Sequence, residues 1–446
     1  MHARRLWAVW EEAFGPELTR PGFVNAVVVL TGWVLTRGTH AVTEALVMTE
    51  VAGRRHWAAF HRFFSRGTWS PDELGRGVFL QLLRLAGDGP LRVVIDDTIT
   101  PKKGPKVFGI GSHLDPVRST RRHRIFVFGH CWVVLAVLVK LPFSKRPWAL
   151  PVLFRLYRNL KECERRGATY KKKTELAREL LDVFVSWTGD RRVELAADSA
   201  YCNDTVSRNL PASVVLFGSM RPDAVLTALP TAAERRATGR RRKRGRELRK
   251  PEQLGRDGRT PWQTTTAVLY NQPRTIRYKT LCAQWYRAMG ERLLRIVVVE
   301  CTDGVIPIRV FFTTDPTLDV VTVLETYAGR WSIEVFFRDA KQLLGFADSQ
   351  ARKEQAVLRI APLIGLLYST LVLWCADDIH STGVALPPLR PWYRHKRGLA
   401  FSDVLRAAQR ALASEDVLDP ACYSQHLRKL TRLGGAPPTG RVRHAA

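Results

Sequence analysis

Arg92-Val-Val-Ile-Asp-Asp-Thr98 decides the fold class of this chain, because it is a short β-branched run that ends in two carboxylates. A second run, Arg192 to Asp198, has the same texture and also ends in an acid. The residues between them include a segment, Thr174 to Trp187, whose leucines and phenylalanine have helical spacing. This alternation of strand, helix and strand predicts an α/β core with partly parallel strands.

Along the whole chain, the sequence pattern predicts five consecutive segments. They are a helical DNA-binding domain at 1–89, the first part of the α/β core at 90–220, an inserted β-rich subdomain with a basic loop at 221–310, the second part of the core at 311–380, and a C-terminal helical region and tail at 381–446. The first segment interleaves arginines with Trp57, Phe60 and Phe63. Such a surface suits DNA docking, but a packing domain with solvated arginines has the same pattern.

The chain is strongly basic, with 70 Lys and Arg against 41 Asp and Glu and a formal net charge of +29. An excess of this size opposes compact folding unless polyanions neutralise it, which favours a nucleic-acid partner. Ten basic residues fall within the sixteen from Arg235 to Lys250, and this density predicts a loop that orders on phosphate. We therefore expect DNA contacts from Arg240, Arg241, Arg242, Lys243 and Arg244.

The seven cysteines contain no Cys-x-x-Cys pair, which is typical of a reducing compartment and speaks against a disulfide framework or a zinc site. The longest apolar stretch in this interpretation, Phe23 to Leu35, is shorter than the roughly 20 residues that a bilayer requires. We expect a cytoplasmic protein with no membrane partner.

Acidic residues end several of the predicted elements. Asp96 and Asp97 follow the first strand, Asp198 follows a later one, and Glu334 lies near the start of a helix. Carboxylates from separate elements can converge on two divalent ions, and oxygen ligands favour Mg²⁺ or Mn²⁺. A strand-terminal Asp is also a common turn former. The acids alone therefore do not decide between a metal site and ordinary turns.

Around Glu334, four polar residues share one helical face. Arg330, Glu334 and Lys341 follow Tyr327 by 3, 7 and 14 residues, which places all four within a stripe roughly 60° wide. An ordinary amphipathic helix with a solvated charged face has the same pattern. Gly329 could also delay the start of the helix.

Tyr327-x2-Arg330-x3-Glu334-x6-Lys341 resembles the Y-R-E-K signature of bacterial insertion-sequence transposases of the DDE type. The Ile95–Thr98 and Ala197–Tyr201 segments resemble those that carry the first two acids of that family. The resemblance runs from about Arg92 to Lys341. It implies an α/β fold in which a ribonuclease-H-like mixed sheet is flanked by helices, with an inserted β-rich subdomain and an N-terminal all-helical domain.

The resemblance also implies site roles. Asp97, Asp198 and Glu334 would hold two Mg²⁺ ions, for which Mn²⁺ can substitute. The choice of Asp97 rests on its place directly before Thr98, since strand periodicity does not separate it from Asp96. Tyr327, Arg330 and Lys341 would grip phosphates of the transposon end.

Further candidates for DNA contact lie outside the signature. Lys102 and Lys103 follow the first acids by a short loop and could reach the same phosphodiester, and Lys171 to Lys173 could contact flanking DNA. Cleavage through a hairpin would need an aromatic platform for a flipped base. Trp262 and Trp285 are candidates for it, with a core role favoured for both.

The expected function is that of a transposase. It would bind double-stranded terminal inverted repeats, synapse two ends as a homodimer, cleave them and join the 3′-hydroxyl to target DNA. A non-catalytic DNA-binding protein derived from a transposase is the main alternative, and a structure-selective nuclease that does not join ends is another.

Overall fold

The computed structural model describes residues 2–104, 106–115, 118–120, 122–236, 241–301, 308–377, 392, 394–396, 398–413 and 415–418. Its helices are α1 His2–Phe14, α2 Arg20–Leu35, α3 Val42–Met48, α4 Ala58–Arg66, α5 Pro71–Ala86, α6 Leu160–Arg165, α7 Lys173–Thr188, α8 Asp204–Ser207, α9 Ala232–Arg236, α10 Pro251–Arg256, α11 Tyr286–Met289, α12 Val320–Gly329, α13 Ser332–Leu343, α14 Glu354–Asp377 and α15 Phe401–Leu412. Its strands are β1 Leu91–Pro101, β2 Gly111–Leu114, β3 Phe126–Lys140, β4 Pro147–Tyr157, β5 Val193–Ala197, β6 Val214–Met220, β7 Gln263–Leu269, β8 Gln272–Gln284, β9 Leu293–Glu300 and β10 Ile308–Thr313.

The strands of the described residues form one mixed sheet in the order β2–β3–β1–β5–β6–β10–β9–β8–β7, with β4 also paired to β3. β5 runs parallel to both β1 and β6, whereas β3 is antiparallel to β1 and β4. The long β3 is buried along most of its length, as expected for a central strand covered on both faces. This mixed α/β sheet is consistent with the predicted ribonuclease-H-like core.

The strands that were predicted to form an inserted β-rich subdomain extend the same sheet. β10 pairs antiparallel with β6, and β9, β8 and β7 follow in turn through antiparallel pairs. Pairing with β10 satisfies the backbone groups along one side of β6, which would otherwise be an open sheet edge. The described strands of the region 221–310 are therefore hydrogen-bonded into the core sheet, and the boundaries of an inserted subdomain stay a prediction.

The chain divides into two compact units. The α/β unit comprises residues 82–103 and 109–338, and the helical unit comprises residues 1–81, 104–108 and 339–446. The division differs from the five predicted segments, because the N-terminal helices share a unit with α14 and α15. Within the helical unit, the Trp10 indole donates to Thr370 Oγ1 at 3.0 Å, and Arg359 donates to the Phe64 carbonyl at 2.9 Å.

One apolar helix is longer than Phe23 to Leu35, the longest apolar stretch considered from the sequence. Helix α14 is 24 residues long, and by length and composition alone it could cross a membrane. However, 94% of its apolar window is buried inside the structure, as in the core helix of a globular unit.

Candidate active site

Strand β1 separates its two carboxylates. Successive side chains of a strand point to opposite faces, so Asp96 and Asp97 belong to different clusters of the α/β unit. Asp96 Oδ2 accepts a hydrogen bond from Arg330 Nη1 at 2.7 Å. Asp97 accepts hydrogen bonds from Lys173 Nζ and the Tyr201 hydroxyl, each at 2.6 Å.

Arg330 is the centre of the first cluster. Its side chain is 15% exposed and lies in the turn that joins α12 to α13. Burial opposes the charge of this guanidinium, but Asp96, Tyr327, Asp198 and Glu334 together raise its pKa above the usual value. The carboxylate of Asp96 within β1, that of Asp198 after β5 and that of Glu334 in the first turn of α13 therefore all favour the charge of a single cation.

Asp96 is destabilised in its charged form. Burial raises the pKa of Asp96 to about 7, and the negative charges of Glu334 and Asp97 add to this effect. Arg330 and the backbone N–H of Asp97 act in the opposite direction. Burial is the largest cause of the raised pKa, and a divalent cation bound to Asp96 would stabilise the charged form of this carboxylate.

The chemistry of this donor set fits a divalent metal ion, because Asp96, Asp198 and Glu334 offer hard oxygen ligands. Among the described residues, however, no group of three or more His, Cys, Asp and Glu side chains lies close enough together to hold an ion as it stands. Arg330 supplies the positive charge beside Asp96 in this arrangement. Its Nε is buried and has no hydrogen-bond partner within the described part of the chain.

The four signature residues do not lie on one continuous helix. Tyr327 belongs to α12 and Glu334 to α13, and the two helices are linked through i→i−3 backbone bonds from Arg330 to Tyr327 and from Trp331 to Ala328. The Tyr327 hydroxyl donates to Ser219 Oγ at 3.1 Å, beside the end of β6. Lys341 lies in the last turn of α13.

Asp97, which the sequence favoured as the first metal ligand, belongs to the second cluster. Its partners are Lys173 on α7, Tyr201 after β5 and Cys131 on β3, whose Sγ lies 3.3 Å from Asp97 Oδ2. The assignment of Asp97 as a ligand stays a prediction, and this placement argues against it. Lys173 had been considered only for flanking DNA, because no local signal in the sequence indicates a carboxylate partner 76 residues away.

The described part of the predicted basic loop is held by backbone hydrogen bonds. Gly245 N–H donates to the Ala228 carbonyl, and Leu248 N–H donates to the Leu226 carbonyl. Residues 245–248 therefore lie alongside residues 226–228. Arg241 to Arg244 are exposed, and Arg240 lies outside the described residues. Arg242 pairs with Glu234 at 3.0 Å and Lys243 with Glu291 at 3.2 Å.

Two further lysines lie beyond the first strand. Lys102 is half-buried and Lys103 is exposed, directly after β1. Lys102 N–H donates to the Phe128 carbonyl, which anchors this end of the strand to β3.

The aromatic candidates Trp262 and Trp285 pack within the sheet region. Lys279 Nζ lies 4.5 Å from the centre of the Trp262 ring, and Trp285 meets the Phe312 ring edge-on at 5.7 Å. The exposed aromatic pair near the candidate site is a different one. Trp331 and Tyr270 are each 54% exposed, and their rings contact edge-to-face with centroids 6.5 Å apart.

This aromatic pair lines a cavity of about 470 Å³ in the α/β unit. Basic side chains share its wall, among them Arg92, Lys140, Lys145 and Arg146. Cations interleaved with exposed aromatic rings are typical of nucleic-acid surfaces, where phosphates pair with the cations and bases stack on the rings. Trp331 directly follows Arg330, so this surface adjoins the carboxylate cluster.

Comparisons with known proteins give a family for the chain. Residues 13–285 match the family model described as DDE superfamily endonuclease, and this range contains Asp96, Asp97 and Asp198 but ends before Glu334. A search of curated proteins finds no match. Because the matched range covers more than half of the chain, the protein belongs to the DDE superfamily endonucleases.

Proposed function

We propose that this endonuclease is a DNA transposase of insertion-sequence origin. It cuts transposon-end DNA and joins the freed 3′-hydroxyl to target DNA. The observation that carries the proposal is the buried ion pair of Asp96 and Arg330 at 2.7 Å, on whose guanidinium Asp198 and Glu334 also act electrostatically. The Y-R-E-K spacing from Tyr327 to Lys341 and the net charge of +29 support it.

In this proposal Asp96, Asp198 and Glu334 hold the metal, with Mg²⁺ as the natural ion, two ions per site and Mn²⁺ as a substitute. Bound divalent ions would supply activation of the attacking oxygen and stabilisation of the leaving oxygen in phosphodiester cleavage. The side chains of the three acids would determine where the positive charge of the ions is held. None of them needs to accept a proton for this role.

Arg330 has a separate part in the mechanism. Its Nη1 is bound to Asp96, while its buried Nε–H has no hydrogen-bond partner among the described residues. A non-bridging phosphate oxygen would satisfy that N–H with a charge-assisted hydrogen bond. We assign Arg330 to orienting the scissile phosphate beside the three acids.

The finer features extend this proposal. Cleavage of the second strand would proceed through a hairpin, with Trp331 and Tyr270 as the exposed platform for an unstacked base. Two copies of the chain would hold two terminal inverted repeats in the synaptic complex, and the protein would act in the cytoplasm at the nucleoid.

The direct test is a joining assay with the full-length protein. A labelled duplex that ends in the terminal repeat is incubated with plasmid DNA, with either Mg²⁺ or EDTA. We expect Mg²⁺-dependent nicking of the uncut end, hairpin-ended intermediates and covalent joining of a pre-cut 3′ end to the plasmid. Glu334→Gln should bind the end DNA with unchanged affinity and yield none of these products.

Two other outcomes of this assay would indicate different functions. Cutting without joining would indicate a structure-selective nuclease. DNA binding without any metal-dependent cleavage would indicate a non-catalytic DNA-binding protein and would contradict the proposal.

A further inference from the structure

Strands β2 and β3 form a two-stranded ribbon that continues the sheet past the end of β1. The ribbon consists of residues 111–114 of β2, which pair antiparallel with residues 126–129 of β3. The last pair between β1 and β3 joins Pro101 to Gly129. Residues 126–128 of β3 therefore pair with β2 beyond the last residue of β1, and both ribbon strands belong to the α/β unit.

One face of this ribbon is apolar and exposed. Phe126 lies opposite Leu114 and Phe128 lies opposite Ser112, so these four side chains project from the same face. The exposed fractions are 59% for Phe126, 47% for Phe128 and 44% for Leu114. The solvent face of an antiparallel sheet is usually polar, and an exposed apolar patch typically marks an interaction site. The three apolar side chains are therefore positioned to contact a partner.

The base of the ribbon is anchored to the neighbouring strands. His113 is buried, its Nε2 lies 3.2 Å from the Gly129 carbonyl oxygen, and its ring contacts that of Tyr157 on β4 with centroids 5.7 Å apart. At Gly129 a Cβ would lie 2.2 Å from the Thr100 carbonyl oxygen, so β1 and β3 approach more closely than a larger residue allows. These contacts hold the apolar face in a fixed position on the sheet.

The segment that joins the two ribbon strands is basic. Residues 115–124 contain four arginines and one histidine against a single acid, Asp115. Arg118 Nε lies 3.5 Å from Asp115 Oδ2, and Arg122, His123 and Arg124 are exposed. The apolar face therefore adjoins a concentration of positive charge that suits phosphates.

The apolar face lies on the same side of the sheet as Asp96. Val134 of β3 pairs with Asp96, so the two side chains project from one face of the sheet. Phe128 precedes Val134 by an even number of residues and projects from this face as well, about 20 Å away along β3 at roughly 3.3 Å per residue. A DNA duplex that lies against the candidate active site can extend along this face to the ribbon.

We propose that the β2–β3 ribbon is a wedge for duplex DNA, in which Phe126 and Phe128 insert at a base step and Arg122 and Arg124 hold the flanking phosphates. Phenylalanine and leucine side chains that enter the minor groove partly unstack a step and bend the duplex. A second copy of this chain is a poor occupant, because it carries the same arginines and a net charge of +29. The inference rests on the DNA partner that the endonuclease family implies, but not on cleavage or joining.

Binding and bending of DNA by the full-length protein in EDTA test the wedge. The probe is a duplex of about 20 base pairs with a dye at each end and one central TA step, because such steps unstack most easily. We expect binding to shorten the distance between the dyes. Repeating the titration at several salt concentrations gives the slope of log affinity against log salt, which reports the number of phosphate contacts.

Two double variants separate the apolar contact from the ionic one. Phe126→Ala with Phe128→Ala should lower the affinity about tenfold at every salt concentration and abolish the bend, with the slope unchanged. Arg122→Gln with Arg124→Gln should reduce the steepness of the slope by about 1.8, since each phosphate contact contributes about 0.9. All four positions are exposed, so wild-type thermal midpoints are expected.

Two controls accompany these variants. Phe126→Leu with Phe128→Leu keeps the face apolar and should retain the bend, because leucine is also found as a wedge. Leu80→Ala removes an exposed apolar side chain of α5, in the helical unit, and should behave as wild type.

The proposal would be overturned if the double alanine variant bound and bent the duplex as wild type does, or if the wild-type protein did not bend it. A change in the oligomeric state of the DNA-free protein in the double alanine variant would assign the apolar face to a second copy of the chain and overturn it too. Because no cleavage is measured, a protein that neither cuts nor joins DNA can still show the wedge, and an active transposase can lack it.

Discussion

Asp96→Asn is expected to reduce metal-dependent cleavage of end DNA by about 10³-fold, while Asp97→Asn keeps activity within about tenfold of wild type. Loss of a metal ligand removes several kcal/mol of transition-state stabilisation, and each 1.36 kcal/mol corresponds to a factor of ten in rate. Asp96 has this role in our proposal because it shares the Arg330 cluster with Asp198 and Glu334. Single-turnover cleavage at saturating protein measures the difference.

The two variants control for each other, since both replace a carboxylate by its amide on the same strand. Asp97→Asn weakens the pair with Lys173, so its thermal midpoint should fall while its chemistry survives. The reverse ranking, with Asp97→Asn inactive yet folded and Asp96→Asn active, would restore Asp97 as the ligand that the sequence favoured.

The metal-free protein is expected to lose stability as pH rises from about 4 to about 7, and Asp96→Asn should remove part of that loss. Burial raises the pKa of Asp96 in the folded state to about 7, from the usual value of 3.8. Between these values the folded state binds more protons than the unfolded state, so the free energy of unfolding decreases with increasing pH. Above pH 7 the whole penalty is present, and it is of the order of a few kcal/mol.

Thermal unfolding in EDTA at several pH values between 5 and 8 measures this effect. At pH 8 the Asp96→Asn variant should unfold several degrees above wild type, and the difference should shrink towards pH 5. Added Mg²⁺ should raise the wild-type midpoint at pH 8 more than that of the variant, because it stabilises only a state that binds it. Parallel pH profiles for wild type and variant would contradict the assignment of an unfavourable buried charge to Asp96.

Local patterns predicted the elements well. The strand that carries Asp96 and Asp97 and the strand before Asp198 form as the sequence indicates, and the segment Thr174 to Trp187 lies within α7. β-Branched runs and helical spacing act within a few residues, so a single sequence is enough to detect them.

Long-range pairing accounts for what the sequence did not predict. Periodicity shows that Asp96 and Asp97 face opposite sides of β1, but only the packing of α12 and α13 decides which side meets Arg330, 234 residues away. In the same way, the sequence does not show that β6 pairs with β10, which joins the strands of the predicted insertion to the core sheet.

Iron-directed backbone cleavage tests the central claim most directly. Fe²⁺ replaces Mg²⁺ in the protein bound to end DNA, and ascorbate with peroxide then generates radicals that cut the polypeptide next to the ion. Our account predicts cuts near Asp96, Asp198 and Glu334, suppressed by excess Mg²⁺ and absent in Asp96→Asn. Cuts that lie elsewhere, or that persist unchanged in Asp96→Asn, would contradict it.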